Sequence, residues 1–99
     1  MTDYERFGQA VAKVRELRGL EVEGLASLLG VAPGDVELLE QGHRQGITFR
    51  AVADALQLPD EVLALLAIDV SKLEEVDRLI TEKLIAVALS LIGPFGEPA

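Results

Sequence analysis

The sequence predicts an all-α fold, with five short helices followed by one long C-terminal helix. Apolar residues make up 49% of the 99-residue chain and aromatic residues only 4%, so the core must consist mainly of Leu, Val, Ile and Ala. A composition rich in Ala, Leu and Glu favours helices over strands. Residues that start and stop helices also recur along the chain at intervals of one short helix.

The first two predicted helices have clear ends. Thr2-x-x-Glu5 is a capping-box pattern, in which each residue's side chain accepts the backbone N–H of the other, and Gly19 closes the first helix. The second helix is expected to cover about residues 22–29. Gly30 ends it and permits a tight turn toward the third helix.

Each of the next three helices begins at a residue that suits a helix N-terminus: Pro33, Thr48 and Pro59. Gly42 stops the third helix. The fourth is expected over residues 49–56 and the fifth over residues 62–68.

The last helix, expected over about residues 72–92, begins at a second capping-box pattern, Ser71-x-x-Glu74. Its second half, LIAVALSLI, is apolar on all sides except for one serine, so neighbouring groups must cover it on every face. A symmetric pair with the same helix of a second chain is the favoured solution; a buried core helix and a groove on another protein are the alternatives. The predicted dimer interface consists of Ile80, Leu84, Val87, Leu91 and Ile92.

Charge and residue usage exclude several classes of function. The net charge is −8, and the segment 20–41 contains five acidic residues and no basic one. The chain has one histidine and no cysteine, and it contains no phosphate-binding loop or nucleophile–base pair. We therefore expect no enzymatic activity, no metal and no cofactor. The longest apolar run is far shorter than the ~20 residues of a membrane-spanning helix, so we expect no membrane insertion.

Four short motifs carry a resemblance to a known family: VRELRGL, LASLLGV, LEQGHR and VADAL, which begin at Val14, Leu25, Leu39 and Val52. In their order and in the placing of their glycines, residues 7–66 resemble the Cro/lambda-repressor (XRE-type) helix-turn-helix family. The resemblance implies a lambda-repressor-like domain over residues 1–68. The apolar sequence of the last helix predicts that residues 69–99 form a dimerisation or interaction helix and a short tail. The resemblance also implies a cytoplasmic, usually bacterial or phage, transcriptional regulator that binds double-stranded DNA as a dimer.

In this family the third helix enters the major groove. Two groups of residues correspond in this sequence to the family's DNA contacts: the positions of the third helix that face the groove, and the basic residues that follow that helix. They are Pro33, Gly34, Asp35, Glu37, Leu38, His43 and Arg44. Most of the helical positions are apolar, small or anionic, whereas the family usually presents Arg, Ser, Thr, Gln or Asn. Two hypotheses follow: a DNA-binding regulator with an acidic recognition helix, or a helix-turn-helix module that binds a basic protein partner and binds DNA weakly or not at all.

Overall fold

A computed structural model describes residues 2–95, and every regular element in that range is helical. The prediction of an all-α chain is therefore confirmed for the described residues. The elements in chain order are α1 (Asp3–Leu17), α2 (Val22–Leu29), α3 (Pro33–Glu40), α4 (Phe49–Leu56), α5 (Asp60–Leu66), a 3₁₀ turn (Val70–Lys72) and α6 (Glu75–Leu91). The end of the predicted tail, residues 96–99, lies outside the described residues.

Local signals set most of the helix ends. The Thr2 hydroxyl accepts the backbone N–H of Glu5 at 3.1 Å, and the Glu5 carboxylate accepts that of Thr2 at 3.2 Å. Hydrogen bonding of Thr2 to the Glu5 carboxylate, by its backbone N–H above all, holds the pKa of Glu5 below its ordinary value. The Thr48 hydroxyl caps α4 by accepting the Ala51 N–H at 3.1 Å. The predicted capping at Thr2 and Thr48 is confirmed.

One aliphatic core joins the helices. Its fully buried side chains come from each of the first five helices, and Ile92, just beyond α6, is buried against them. Phe7 and Phe49 add a stacked ring pair whose centroids are 5.3 Å apart. The largest completely enclosed side chains are Val11, Val14, Leu25, Val36, Leu39, Val52, Leu56 and Leu63.

A close approach between α1 and the end of α3 depends on Gly8. A Cβ atom placed on Gly8 would lie 2.5 Å from the Glu40 carbonyl oxygen and 2.6 Å from that of Leu39. Side-chain carbons do not come this close to backbone oxygens, so only glycine permits this spacing of the two helices. The sequence pattern does not reveal this requirement, because Gly8 lies inside a helix and far from residues 39–40 along the chain.

The predicted capping box at Ser71 is wrong. Ser71 donates both its backbone N–H and its hydroxyl to the Asp69 carboxylate, at 3.1 and 2.5 Å, and residues 70–72 form a 3₁₀ turn. The hydrogen bond from the Ser71 side chain is the main reason that the pKa of Asp69 is lowered. Helix α6 begins only at Glu75, and Glu74 provides no side-chain cap.

Helix α6 packs against α5 and the 3₁₀ turn. Ile85, Ala88 and Leu89 are half-buried and recur at helical spacing, so they form its inner face. No helix within residues 2–95 combines the length and the apolar character needed to cross a lipid bilayer.

Candidate functional site

Helices α2 and α3 are joined by a short, well-defined turn. Gly30 has a left-handed backbone (φ 73°) and ends α2, and the Val31 N–H donates to the Ala26 carbonyl at 3.0 Å. Pro33 occupies the first turn of α3. Leu25 and Ala26 of α2 are buried together with Val36 and Leu39 of α3, so the opposite sides of both helices face solvent.

The predicted DNA-contacting residues lie on this solvent side or directly after it. Six of them are exposed: Pro33, Gly34, Glu37, Leu38, His43 and Arg44. Asp35 is half-buried, and its carboxylate accepts the backbone N–H of Ala32 at 3.3 Å. Asp35 therefore caps the N-terminus of α3, where a negative charge is favourable.

Arg15 is held by a bidentate ion pair with the last residue of α3. Its Nε lies 2.7 Å from Glu40 Oε2 and its Nη2 lies 3.2 Å from Oε1, while Nη1 donates to the Leu20 carbonyl at 3.0 Å. Both side chains are largely buried. The hydrogen bonds to Glu40 raise the pKa of Arg15. Because Arg15 and Glu40 pair with each other, Glu40 does not present a free negative charge on the surface of α3, and Arg15 is not available to bind a phosphate.

Arg18 ties three parts of the fold together. Its guanidinium donates to the carbonyls of Leu56, Gln57 and Gly93, each at 3.0 Å. The Arg18 Cζ also lies 5.2 Å from the centre of the Phe95 ring. Arg18 thereby fixes the end of α4 and the segment after α6 against the end of α1.

Replacing Arg18 with alanine should lower the free energy of unfolding by about 1–2 kcal/mol, because three carbonyls lose a charged donor at a partly solvated site. Urea unfolding followed by circular dichroism measures this change. Lys13→Ala, an exposed position on the same helix, is the control and should change stability by less than about 0.5 kcal/mol. Equal stability of the two variants would contradict the structural role given to Arg18.

The other arginines ahead of α6 are also engaged within the chain. The Arg44 Cζ lies 5.7 Å from the centre of the Tyr4 ring, and its Nη2 donates to the Ile47 carbonyl at 3.4 Å. Arg6 pairs with Asp3 and Asp69, and Arg50 pairs with Asp60 at 3.4 Å. Every arginine that precedes α6 thus contacts an acid, a carbonyl or an aromatic ring of its own chain.

The solvent-exposed surface of α2 and α3 carries acidic side chains and two exposed leucines. Glu21, Glu23 and Glu37 are exposed, and so are Leu28 (54%) and Leu38 (37%). On α3, Gly34, Glu37, Leu38 and Gln41 share one face because they follow the i, i+3, i+4, i+7 spacing. We call the following exposed residues, which lie on α2 and α3 or directly next to them, the acidic face: Glu21, Glu23, Leu28, Gly34, Glu37, Leu38 and Gln41.

A second candidate surface runs along α6, on the side away from its packed face. Five side chains define it, in steps of four, four, three and four residues, and all are at least half exposed: Val76, Ile80, Leu84, Val87 and Leu91. We call this set the α6 stripe. It contains four of the five residues predicted for the dimer interface.

The fifth residue of that predicted interface, Ile92, does not lie on the stripe. It is only 8% exposed and belongs to the core of its own chain. The backbone leaves the helical conformation at this residue, which has a φ of −85° and a ψ of 116° and lies one position beyond α6. Helical periodicity therefore no longer governs the direction of its side chain.

A groove of about 390 Å³ adjoins the stripe between α5 and α6. Val62 and Leu65 of α5 form one wall, and Leu84, Val87 and Leu91 form the other. Arg18 also lines this groove. The sequence pattern does not indicate this groove, because it depends on the packing of two helices that are separate along the chain.

Within residues 2–95, no cluster of three or more His, Cys, Asp or Glu side chains is arranged to hold a metal ion. Comparison of the chain with protein-family models, curated proteins and solved structures finds no match.

Proposed function

We propose that this protein is a small helix-turn-helix regulator that acts as a dimer and binds a basic protein partner through the acidic face. The observation that carries this proposal is the inward engagement of the arginines around α2 and α3. Arg15 pairs with Glu40 and Arg18 donates to three backbone carbonyls, while Glu21, Glu23 and Glu37 are exposed.

The form of α2, the turn at Gly30 and α3 supports assignment to the helix-turn-helix class of the Cro/lambda-repressor type. A left-handed glycine lies between two short helices, and buried Ala26, Val36 and Leu39 hold them together, which is compatible with this class, in which the turn between the helices often contains Gly. The fold class alone does not determine what the exposed face binds.

Electrostatics favour a protein over DNA as the ligand of that face. Nonspecific affinity for DNA comes from Lys and Arg that neutralise phosphates. On this face Glu21, Glu23 and Glu37 are exposed, and Asp35 adds a fourth charge near the first turn of α3. Opposed like charges can cost several kcal/mol at an interface, so a polyanion is disfavoured and a cationic partner is favoured.

The partner that fits is a basic segment with apolar side chains. Leu28 of α2 and Leu38 of α3 are also exposed and offer apolar contacts. Interfaces commonly combine such a contact with a polar rim that sets orientation. We propose a Lys- or Arg-rich amphipathic helix or strand of another regulatory protein.

The dimer is proposed to form through the α6 stripe. Full burial of each Leu, Ile or Val side chain is worth about 1.5–3 kcal/mol, and all five stripe residues are at least half exposed. A second copy supplies an apolar surface of the same length, which makes a symmetric contact the simplest way to bury them.

A DNA-binding regulator is the second candidate function. The observation that favours it is the exposure of His43 and Arg44 directly after α3, where they can reach a phosphate. Asp35 or Glu37 would then accept a hydrogen bond from the N4 amino group of cytosine.

One binding experiment separates the two candidates. The protein is titrated with mixed-sequence duplex DNA at about 50 mM salt, where electrostatic affinity is high, and with an amphipathic Lys/Leu peptide. We expect peptide binding and no DNA binding. Glu37→Lys should abolish peptide binding, whereas Glu16→Lys, the same charge change on the exposed side of α1, should leave it nearly unchanged.

The opposite pattern would support the second candidate. If the duplex binds, Arg44→Ala weakens it, and the peptide does not bind, the protein-partner proposal is wrong. Equal loss of peptide binding in the Glu37 and Glu16 variants would show that only net charge matters and would also contradict a specific acidic face.

A further inference from the structure

Helix α6 is apolar on two separate sides. Ile85, Ala88 and Leu89 pack toward the body of the domain, while the α6 stripe faces solvent beside the α5–α6 groove. A single packed helix needs only one apolar side. The second side therefore marks a contact surface, and the arrangement of charges on and near α6 indicates how it is used.

We propose that two copies of the chain pair with their α6 helices antiparallel, each α6 seated in the α5–α6 groove of the other. This pairing, which rests on the dimer proposed above, makes a compact bundle from two α5 helices and two α6 helices. Nearly antiparallel neighbours are the usual geometry of such bundles.

The charge distribution along α6 favours the antiparallel direction. The first half of the helix carries Glu75, Asp77 and Glu82 together with Arg78 and Lys83, whereas residues 84–92 carry no charge. A parallel pair would bring the acidic N-terminal turns of both copies together. An antiparallel pair places each acidic half beside a neutral half and opposes the helix dipoles favourably.

Arg18 places a positive charge at the end of the groove that the acidic half of the partner's α6 approaches, because its three carbonyl partners are neutral and do not cancel the charge of the guanidinium. Arg18 lines the α5–α6 groove, and its guanidinium donates to the Gly93 carbonyl, just after the C-terminus of α6. In the antiparallel pair the acidic start of the partner's α6 approaches this end. In a parallel pair Arg18 would instead face the neutral end of the partner's helix.

The spacing of the stripe is also nearly symmetric about its centre. In the antiparallel arrangement, Val76 lies opposite the partner's Leu91 and Ile80 lies opposite the partner's Val87, with Leu84 close to the two-fold axis. The most exposed stripe residues, Leu91 (79%) and Val76 (67%), therefore cover each other at the ends. Val76 and Leu91 are 15 residues apart on one helix, which is about 22 Å. An antiparallel pair therefore brings position 76 of one copy close to position 91 of the other, whereas a parallel pair keeps these two positions about 22 Å apart.

Disulfide cross-linking in the full chain tests the direction directly, because the natural sequence has no cysteine. Val76→Cys and Leu91→Cys are prepared separately, mixed in equal amounts and oxidised under mild conditions. Both positions are exposed, so folding should be retained and is checked by circular dichroism. We expect the mixed sample to form the covalent dimer at least about tenfold faster than either variant alone, because a disulfide requires Cβ atoms about 4 Å apart.

A second pair, Ile80→Cys with Val87→Cys, repeats the test nearer the axis and should behave in the same way. Fast cross-linking of Leu91→Cys with itself would overturn the antiparallel direction while leaving the dimer intact. A dimer in sedimentation with no preferential cross-link in either mixed pair would overturn the proposed seating. A monomer in sedimentation at all concentrations would instead refute the dimer itself.

Discussion

Replacing Leu84 with glutamate is expected to convert the proposed dimer to a monomer, with at least about a 100-fold loss of self-affinity. Leu84 lies at the centre of the α6 stripe and also lines the α5–α6 groove. In the dimer the new carboxylate would be buried near its symmetry-related copy. An unpaired buried charge costs several kcal/mol, and a loss of about 2.7 kcal/mol in binding free energy already corresponds to a 100-fold loss of affinity. Sedimentation equilibrium over a range of concentrations measures the change.

The matched control is Glu82→Lys, a charge reversal on an exposed position of the same helix but outside the stripe. It should remain dimeric, with affinity changed by less than about tenfold, as expected for an exposed charge. If Leu84→Glu remains as dimeric as the natural protein, the stripe is not the interface. Both variants should show the far-ultraviolet circular dichroism of the natural protein.

Replacing Gly8 with alanine should lower the free energy of unfolding by about 2–3 kcal/mol. The added methyl group would lie 2.5 Å from the Glu40 carbonyl oxygen, and a backbone atom cannot rotate away as a flexible side chain can. Overpacking of this kind typically lowers the free energy of unfolding by about 1–3 kcal/mol and occasionally more. The better helix propensity of alanine offsets up to about 1 kcal/mol of this loss. For a domain of this size, thermal unfolding should shift down by roughly 10 °C or more.

Gly34→Ala is the control for this prediction. Gly34 is also helical, but nothing lies within 4 Å of the position that its Cβ would occupy. Alanine there should leave stability unchanged or raise it by up to about 1 kcal/mol. Equal melting temperatures for the two variants would mean that α1 and α3 can separate without penalty, contrary to the packing at Gly8.

Much of the helical outline was predictable from the sequence because its signals are local. A capping hydroxyl such as Thr48 lies within three residues of the N–H that it accepts. Pro33 acts within the first helical turn, and Gly30 adopts its left-handed conformation without help from distant residues. Ser71 is the exception, because the nearby Asp69 carboxylate takes both of its donors and delays the start of α6.

The candidate surfaces were only partly predictable. The family resemblance placed Glu37 and Leu38 on the outer side of α3, and both are exposed in the single chain, as are four of the five positions predicted for the dimer interface on α6. Ile92 is the fifth position and is buried in the core of its own chain, because the helix has ended there. No sequence spacing could show that Arg15 pairs with Glu40, because the two residues are 25 positions apart and come into contact only when α1 packs on α3.

The amino-acid sequence by itself determined the all-helical content, most helix ends and the excess of acid between residues 20 and 41. These properties depend on backbone conformations and side chains within one or two helical turns. Only the tertiary structure decided which arginines remain available to a ligand, where glycine is needed for helix contact, and which side of α6 stays uncovered. Those outcomes depend on distances between separate helices, which are set when the common aliphatic core is packed.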